Sequence, residues 1–502
     1  QYSAGITGDN AADNRYDKPV IRGFAARQFL DGTYLVYGTG VYNMPRIEPY
    51  GLEKVEILRG PSSVLYGANA PGGLVNMISK RPSEQQLREV GLLVGNYGRQ
   101  QAQFDLGGKV DDNGTVPWQL TGIAGSGGTQ TAYADDDRVF IAPAVTIRPS
   151  ARTQLTLMAS YQKDKLGTLI NFLPREGTLT PTQWGTISSR FFTGEPDFNR
   201  FDREGSSAGW SLSHAFTDSL TFRQNARYLR SDMVYQGVYA VGWQPGTSYL
   251  RRASLDAYGD LDSFVIDNQL EWKHRAGDWQ HTVLAGFDYQ KANSYEAQGY
   301  GTVGSGLGLI NPFAPVYGQR INPITSYTGT EQHQKQSGVY AQYQGSFTER
   351  WFLTGSLRRD EADSQTLTTR FTNLGRVTSS ATTDMDQSDT TYRLGLLYRT
   401  ANGFSPYLSK AFVDSEFDFY SRTLRGVKEI EPRWKRAVNT INSNMGEMLG
   451  KLYVERHFTP QAKAQMQEMV KNILAAFDAR IDRLDWMTAE TKAKAKEKLA
   501  VF

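Results

Sequence analysis

Cysteine is absent from the 502 residues, so neither a disulfide framework nor a thiolate metal site can be built. An excess of one charge sign is lacking too. The 55 Lys and Arg against 52 Asp and Glu leave a formal charge of +3, too small to argue for a nucleic-acid partner. The five histidines, His214, His274, His281, His333 and His457, are scattered. No His-Glu-x-x-His occurs, so the zinc-peptidase pattern is excluded and no metal site is expected. No stretch approaches the ~18 consecutive apolar residues of a membrane-spanning helix. Hydrophobic content is 39% and mean hydropathy −0.49, which excludes a helical membrane protein. A membrane β-barrel survives that exclusion, because its strands alternate lipid-facing apolar with lumen-facing polar side chains. Gln1 to Asp17 is polar and holds no signal-peptide core, so the sequence reads as a mature form or one lacking its start.

What is present falls into three textures. Residues 1–82 are punctuated by glycine and proline between short apolar runs. Residues 83 to about 408 read as strands of two-residue period. From about Asp414 the chain turns helical, rich in Ala, Lys and Glu. In the middle region Phe264, Ile266, Leu270 and Trp272 share one face, and Val265, Asp267, Gln269, Glu271 and Lys273 the other. Gln154–Tyr161 and Gln336–Phe347 alternate in the same way. Tight turns at Pro149-Ser150, Thr217-Asp218, Arg275–Asp278, Thr348–Arg350 and Asn402-Gly403 are expected, the last a type I′ signal. Between them long polar loops are expected at Leu166–Gly205, Gln236–Asp262, Asn293–Gln334 and Glu361–Gln387. Short turns on one side and long loops on the other form the outer-membrane barrel pattern. A soluble sandwich or propeller is disfavoured, since loops beyond about 15 residues are uncommon in compact domains. Thirteen candidate strands are expected, roughly half of the ~22 in a barrel wide enough to hold a plug.

The first region carries Val20-Ile21-Arg22-Gly23-Phe24, then a run from Pro49-Tyr50-Gly51-Leu52-Glu53 through Arg59-Gly60-Pro61 to Tyr66-Gly67, then Pro71-Gly72-Gly73 through Lys80-Arg81-Pro82. This ordered run resembles the plug of TonB-dependent siderophore receptors. Asn171-Phe172-Leu173-Pro174-Arg175-Glu176-Gly177, Val238-Tyr239-Ala240-Val241-Gly242 and Gly403-Phe404-Ser405-Pro406-Tyr407-Leu408-Ser409 resemble the ferrichrome-type, hydroxamate branch. The resemblance covers about residues 18 to 409. It implies a mainly β fold: a partial outer-membrane β-barrel (83–409) around an N-terminally truncated α+β plug (1–82), in the outer membrane of a Gram-negative bacterium. It implies a receptor and transporter for ferric siderophore, with iron as cargo and no cofactor held by the protein itself. Partners implied are the ferric siderophore, outer-membrane lipid and the energy-coupling protein TonB. The Ile-Arg-Gly-Phe motif lies only about twenty residues in, so the TonB-coupling segment and the first plug strands are expected to be missing, as is the terminal barrel strand. Ligand contacts implied by the resemblance are Arg27, Gln28 and Tyr42 on the plug and Phe172, Tyr239 and Tyr300 in the loops. Where the family has a further loop aromatic this chain has Val241, and Trp243 is the candidate to replace that surface. Arg22 and Arg59 match plug arginines that pair with barrel glutamates on strands this chain does not contain.

From Pro432 the apolar period changes. Trp434, Val438, Ile441, Met445, Met448, Leu449 and Leu452 recur at three- and four-residue steps, one face of a helix. Thr459-Pro460 starts a second helix with the stripe Met466, Met469, Val470, Ile473, Phe477, Ile481 and Leu484, and Thr488 caps a third. Lys492, Lys494, Lys496 and Lys498 read as a solvated basic face. Phe417-Asp418-Phe419-Tyr420, Pro432-Arg433-Trp434-Lys435-Arg436, Gly450-Lys451-Leu452-Tyr453-Val454 and Asp485-Trp486-Met487 resemble a helical piece of neprilysin-type zinc endopeptidases, upstream of their catalytic motifs. Residues 410–502 therefore read as an α-helical segment from a different fold, and no peptidase activity is expected. Two alternatives to the receptor stand beside it: an endopeptidase fragment without its active site, and a nonfunctional fusion of two genes joined between Phe404 and Asp418. Gly304–Gly308 lacks the Lys-Ser/Thr of a phosphate loop, and Asp135-Asp136-Asp137 reads as a solvated loop rather than a calcium site.

Overall fold

The computed structural model describes residues 6–7, 14–15, 17–40, 42–60, 63–67, 72–111, 115–304, 308–400, 407–409, 460–484 and 487–499. The chain divides into two compact units, Gln1–Glu416 and Phe417–Phe502.

The plug contributes seven short strands: β1 (Ile6–Thr7), β2 (Val20–Ile21), β3 (Phe24–Ala25), β4 (Arg27–Leu30), β5 (Thr33–Tyr34), β6 (Leu52–Arg59) and β7 (Gly73–Ser79). They form a three-stranded sheet, β1-β2-β3, and a four-stranded one, β5-β4-β7-β6. A single helical turn, α1 (Ser63–Tyr66), lies between β6 and β7. The β4–β5 hairpin turns on Asp31 and Gly32, both left-handed at φ +52° and +80°. That is the type I′ geometry for which Asp-Gly is suited.

The wall begins at β8 (Leu87–Val94), β9 (Gln100–Lys109), β10 (Pro117–Ser126), β11 (Asp136–Ser150), β12 (Thr153–Leu166) and β13 (Arg200–Ala215). It continues through β14 (Leu220–Trp243), β15 (Leu250–Ala276), β16 (Trp279–Thr302), β17 (Ser326–Phe347), β18 (Trp351–Thr372), β19 (Val377–Tyr398) and β20 (Tyr407–Ser409). These thirteen strands make one sheet in which each strand pairs with its neighbours in sequence. Among the described residues β8 pairs only with β9, and β20 covers only Gly395–Leu397 of β19. The expected short turns are present at Thr217-Asp218, Arg275–Asp278 and Thr348–Arg350; the one expected at Pro149-Ser150 falls two residues later, on Ala151-Arg152, because β11 runs through Ser150, which pairs with Thr153, and Asn402-Gly403 lies outside the described residues.

Two of the expected long loops are corrected. Gln236–Asp262 is mostly strand, broken only between Trp243 and Leu250, and Glu361–Gln387 is a hairpin broken only between Thr372 and Val377. Asn293–Gln334 keeps a loop only between Thr302 and Ser326. For Glu361–Gln387 the physical reason is that a ribbon continuing beyond lipid has water on both faces. It stays paired by its backbone while losing the apolar alternation that marks a strand in sequence.

The alternation is inside-out. On β15 Leu270 and Trp272 are exposed outward, whereas Val265 and Asp267 are buried against the interior. On β12 Leu157 is exposed while Thr156 and Met158 are buried, and on β17 Val339 is exposed while Tyr340 is buried. At the short-turn end outward rings stack along and across strands: Trp272 on His274 of the same strand at 5.3 Å, and Trp279 on Phe347 of the next strand at 4.8 Å. Such an aromatic girdle suits a membrane–water interface.

The buried inner face is polar, and the plug satisfies it. Plug Leu30, Val36, Val75 and Met77 form one apolar cluster with wall Leu229, Leu261 and Val265. Around it, Arg227 of β14 donates to Asp31, whose carboxylate also accepts from Ser79 N at 2.9 Å and Ser79 Oγ at 2.7 Å. Arg138 of β11 bridges Glu48 of the plug and Asp164 of β12, each at 2.6 Å. Lys80 pairs with Asp105 of β9 at 2.8 Å. Along the wall itself Arg358, 1% exposed, is held by Asp288 at 2.5 Å and Asp360 at 2.6 Å.

In the second unit α2 (Pro460–Asp482) and α3 (Ala489–Leu499) are joined by Lys496, which reaches Asp478 at 3.1 Å and Asp482 at 2.7 Å. Lys496 of the expected basic face thus pairs with two carboxylates at the surface. Thr488 Oγ accepts from Thr491 N at 3.3 Å, the expected cap of α3. The helix expected from Pro432 lies outside the described residues.

Removing one partner of a buried ion pair leaves an uncompensated charge. Arg227→Ala is therefore expected to destabilise the folded protein by about 3–5 kcal/mol, and Asp31→Asn with Arg227→Met by much less. Denaturant midpoints in detergent check this; equal midpoints for Arg227→Ala and the native chain would contradict it.

Candidate ligand-binding site

At the apex of the plug a tight turn presents Tyr42. The turn closes on itself through Gly38 N to Asn43 O at 3.0 Å. The wall then fixes it. Glu296 of β16, 2% exposed, accepts from Tyr42 N at 3.3 Å and Asn43 N at 3.1 Å. Ser294 Oγ accepts from Thr39 N at 3.0 Å, and Asn43 Nδ2 donates to Asp260 O at 2.6 Å. Arg203 of β13 donates to Met44 O at 2.8 Å. Gly40 sits at φ +79°, and a Cβ there would lie 2.0 Å from Glu296 Oε1. Glycine is required at that position for both reasons.

Tyr42 stacks on Tyr235 of β14, ring centroids 4.5 Å apart and planes at 29°. Leu166, Phe201, Met233, Leu255 and Ala257 complete that cluster, with Tyr239 packed against it. Phe172, exposed and left-handed at φ +47°, meets Tyr239 edge-on at 5.4 Å. Tyr300, 61% exposed, is within electrostatic reach of the Tyr42 and Tyr239 hydroxyls and donates to Gln298 Oε1 at 3.2 Å. Burial pushes the Tyr42 phenol up to about 12, against the opposing pull of a hydrogen bond from Arg15. Tyr42 is therefore a neutral hydrogen-bonding group at physiological pH.

Four expected contacts, Tyr42, Phe172, Tyr239 and Tyr300, thus come together from four separate chain segments. The other three sit elsewhere. Arg27 lies over the Tyr34 ring at 4.7 Å, and Gln28, buried, donates to Asp17 O. Trp243 donates Nε1 to Glu176 O at 3.0 Å and stacks on Phe313 at 6.3 Å. It belongs to a loop cluster with Ile187, Phe191 and Ile310. Val241 is half-exposed beside a bulge between Ala240 and Gly242. Arg22 and Arg59 are exposed on the plug. Asp136 of the Asp135-Asp136-Asp137 run pairs with Arg99 at 2.7 Å, and Asp137 accepts from Gly127 N at 3.1 Å.

Tyr235, Glu296, Gln298 and Arg15 escaped the sequence reading. Parity could have placed Glu296 and Gln298 on the same inner face of their strand. Nothing local marks Arg15, which stands in a short polar stretch.

A plug hydrogen-bonded inside a wall of sequential antiparallel strands, with aromatic rings gathered at the apex, defines the plug-and-barrel fold of outer-membrane proteins. Through about residue 409 the chain is similar in plug and wall to TonB-dependent siderophore receptors of the Gram-negative outer membrane. Residues 1–74 match the TonB-dependent Receptor Plug Domain. The Ferrioxamine B receptor of Salmonella typhimurium (strain SL1344) is 33% identical over 423 residues, covering 83% of this chain and 58% of that protein. The Ferrichrome outer membrane transporter/phage receptor of Escherichia coli (strain K12) is 33% identical over 436 residues, covering 81% and 57%. The chain thus spans somewhat over half the length of these relatives. In fold it is similar to the Ferric-Catecholate import receptor Fiu of E. coli K12, with TM-score 0.67 at 19% identity over 81% of this chain and 61% of that one. The C-terminal part matches Peptidase family M13 over residues 367–502, and is 37% identical over 91 residues to Membrane metallo-endopeptidase-like 1 of Mus musculus, covering 18% of this chain and 12% of that protein. The start of that match overlaps β18 and β19, which pair in one register with the rest of the wall.

Gly40→Ala is expected to force the Tyr42 turn off Glu296, destabilising the protein by about 1 kcal/mol or more. A thermal or denaturant midpoint unchanged from the native value would contradict that contact.

Proposed function

We propose that this chain's receptor part binds a ferric hydroxamate siderophore at the plug apex, as the first step of inward transport energised through TonB. Iron is the cargo, held by the siderophore and not by protein ligands. The observation that carries the reading is the convergence of Tyr42, Phe172, Tyr239 and Tyr300 on a turn locked to the wall by Glu296. Aromatic rings give large rigid contact area at low entropy cost, and a few polar groups set orientation. The names of the two 33%-identical relatives, a ferrioxamine B and a ferrichrome protein, support hydroxamate chemistry over other iron chelates. Arg27, Gln28 and Trp243 then act behind the site, as supports of plug and loop. Residues 1–82 serve as plug, 83–409 as wall and 410–502 as a metallopeptidase-like piece outside the transport function. Arg22 and Arg59 would face wall strands beyond those of this chain.

Quenching of intrinsic fluorescence by a ferric trihydroxamate, titrated onto the chain in detergent, tests this. Saturable binding is expected, weakened about tenfold or more by Phe172→Ala with Tyr239→Ala, since each buried aromatic contact carries of order 1 kcal/mol or more. Binding that is absent, or indifferent to both substitutions, would refute the assignment.

A further inference from the structure

Phe172, the exposed loop ring of the proposed site, holds a left-handed backbone at φ +47°. Bulky residues rarely adopt that region, and they persist there only where their surroundings over-determine it. The determining contacts fall on the residue before it. Asn171 Oδ1 accepts from Thr193 N at 3.0 Å and from Thr193 Oγ at 2.8 Å, and Asn171 Nδ2 donates to Phe191 O at 3.2 Å. A backbone N–H can only donate and a carbonyl only accept, so the amide has a single orientation. The Asn171 carbonyl takes a further bond, from Ala240 N at 3.1 Å. Phe172 and Tyr239 are the chain neighbours of that bonded pair, and their rings meet edge-on at 5.4 Å. The segment that holds Asn171 is itself anchored. Thr193 is fully buried, and Arg252 of β15 donates to Thr193 O at 2.9 Å, to Gly194 O at 3.2 Å and to Glu195 Oε1 at 2.8 Å. The second Glu195 oxygen accepts from Gly318 N at 2.6 Å and Gln319 N at 3.1 Å, in the loop between β16 and β17. A wall strand thus fixes Thr193, and Thr193 fixes Asn171.

We infer that Asn171 is a positioning residue of the proposed site: its side chain, tied to Thr193 and Phe191, holds Phe172 in the strained conformation that presents its ring, beside Tyr239, to the ligand. The inference rests on the ferric-hydroxamate reading above. Freed of the tie, the backbone at Phe172 relaxes to negative φ and the ring leaves the edge of Tyr239. Affinity then falls because the loop must be ordered at the moment of binding, and not because Asn171 itself touches the ligand. Such a role makes the effect of residue 171 depend on the ring at residue 172, which a double-mutant cycle reads directly.

The test measures affinity for one ferric trihydroxamate by fluorescence quenching, on the whole chain in detergent. Asn171→Leu, which keeps the side chain's volume and removes its hydrogen bonds, is made alone and together with Phe172→Ala. It is expected to weaken binding about 3- to 10-fold in the native background, and less than about 1.5-fold in the Phe172→Ala background. Asn171→Asp, which keeps the acceptors for Thr193 and loses the donor to Phe191, should fall between Asn171→Leu and the native chain. Thr193→Val removes one bond to Asn171 without altering the loop tip. It should show the same dependence on Phe172 at about 2- to 3-fold, and it carries the test if Asn171→Leu does not fold. A loss of equal size in both backgrounds, as a merely structural role would give, overturns the inference and leaves the ferric-hydroxamate reading standing. Undiminished binding by Asn171→Leu in the native background does the same. No binding by the native chain removes both.

Discussion

Everything in the receptor part depends on one constraint: a strand placed in lipid must have its backbone groups paired, and its second face must have somewhere polar to go. Sequential antiparallel pairing meets the first demand. It leaves a row of inward side chains, among them Arg138, Asp164, Arg227 and Asp267, that apolar packing could not satisfy. The plug meets the second demand. Its Asp31 and Glu48 take the wall's arginines, and its apical turn gives backbone N–H groups to Glu296. The binding surface is a by-product of that fit. Tyr42 stands where it does because the wall holds the turn beneath it.

How legible this was depends on distance along the chain. Alternation over Phe264–Lys273 identified the strand and its two faces, because period two is a local property. The extent of the strands was not legible. Glu361–Gln387 is polar on both sides, and nothing in such a stretch distinguishes a watered ribbon from a loop. Among site residues, Tyr42, Phe172, Tyr239 and Tyr300 were reached through motifs matched to a family. Glu296 was not, because its contact with Tyr42 spans 254 residues of sequence and is set by the register of β16. Trp243 was suggested by proximity to Val241 in sequence. In space the bulge between Ala240 and Gly242 turns it into the loop cluster with Phe313.

The C-terminal region follows different rules. Its described helices are held by the Thr488 cap and by Lys496 between two carboxylates. The change from period two to period 3.6 is the physical mark of a junction. The pairing of β18 with β19 puts the wall's side of that junction beyond Tyr398.

The central claim is that plug and wall form one hydrogen-bonded body at the apical turn. The absence of cysteine permits a direct measurement. Thr39→Cys with Ser294→Cys introduces a single pair where Thr39 N and Ser294 Oγ lie 3.0 Å apart. On mild oxidation of the folded protein in detergent, the account predicts near-complete loss of free thiol within one molecule, with the mobility shift of a closed loop. Two thiols that react freely with a maleimide yet form no intramolecular disulfide would contradict it.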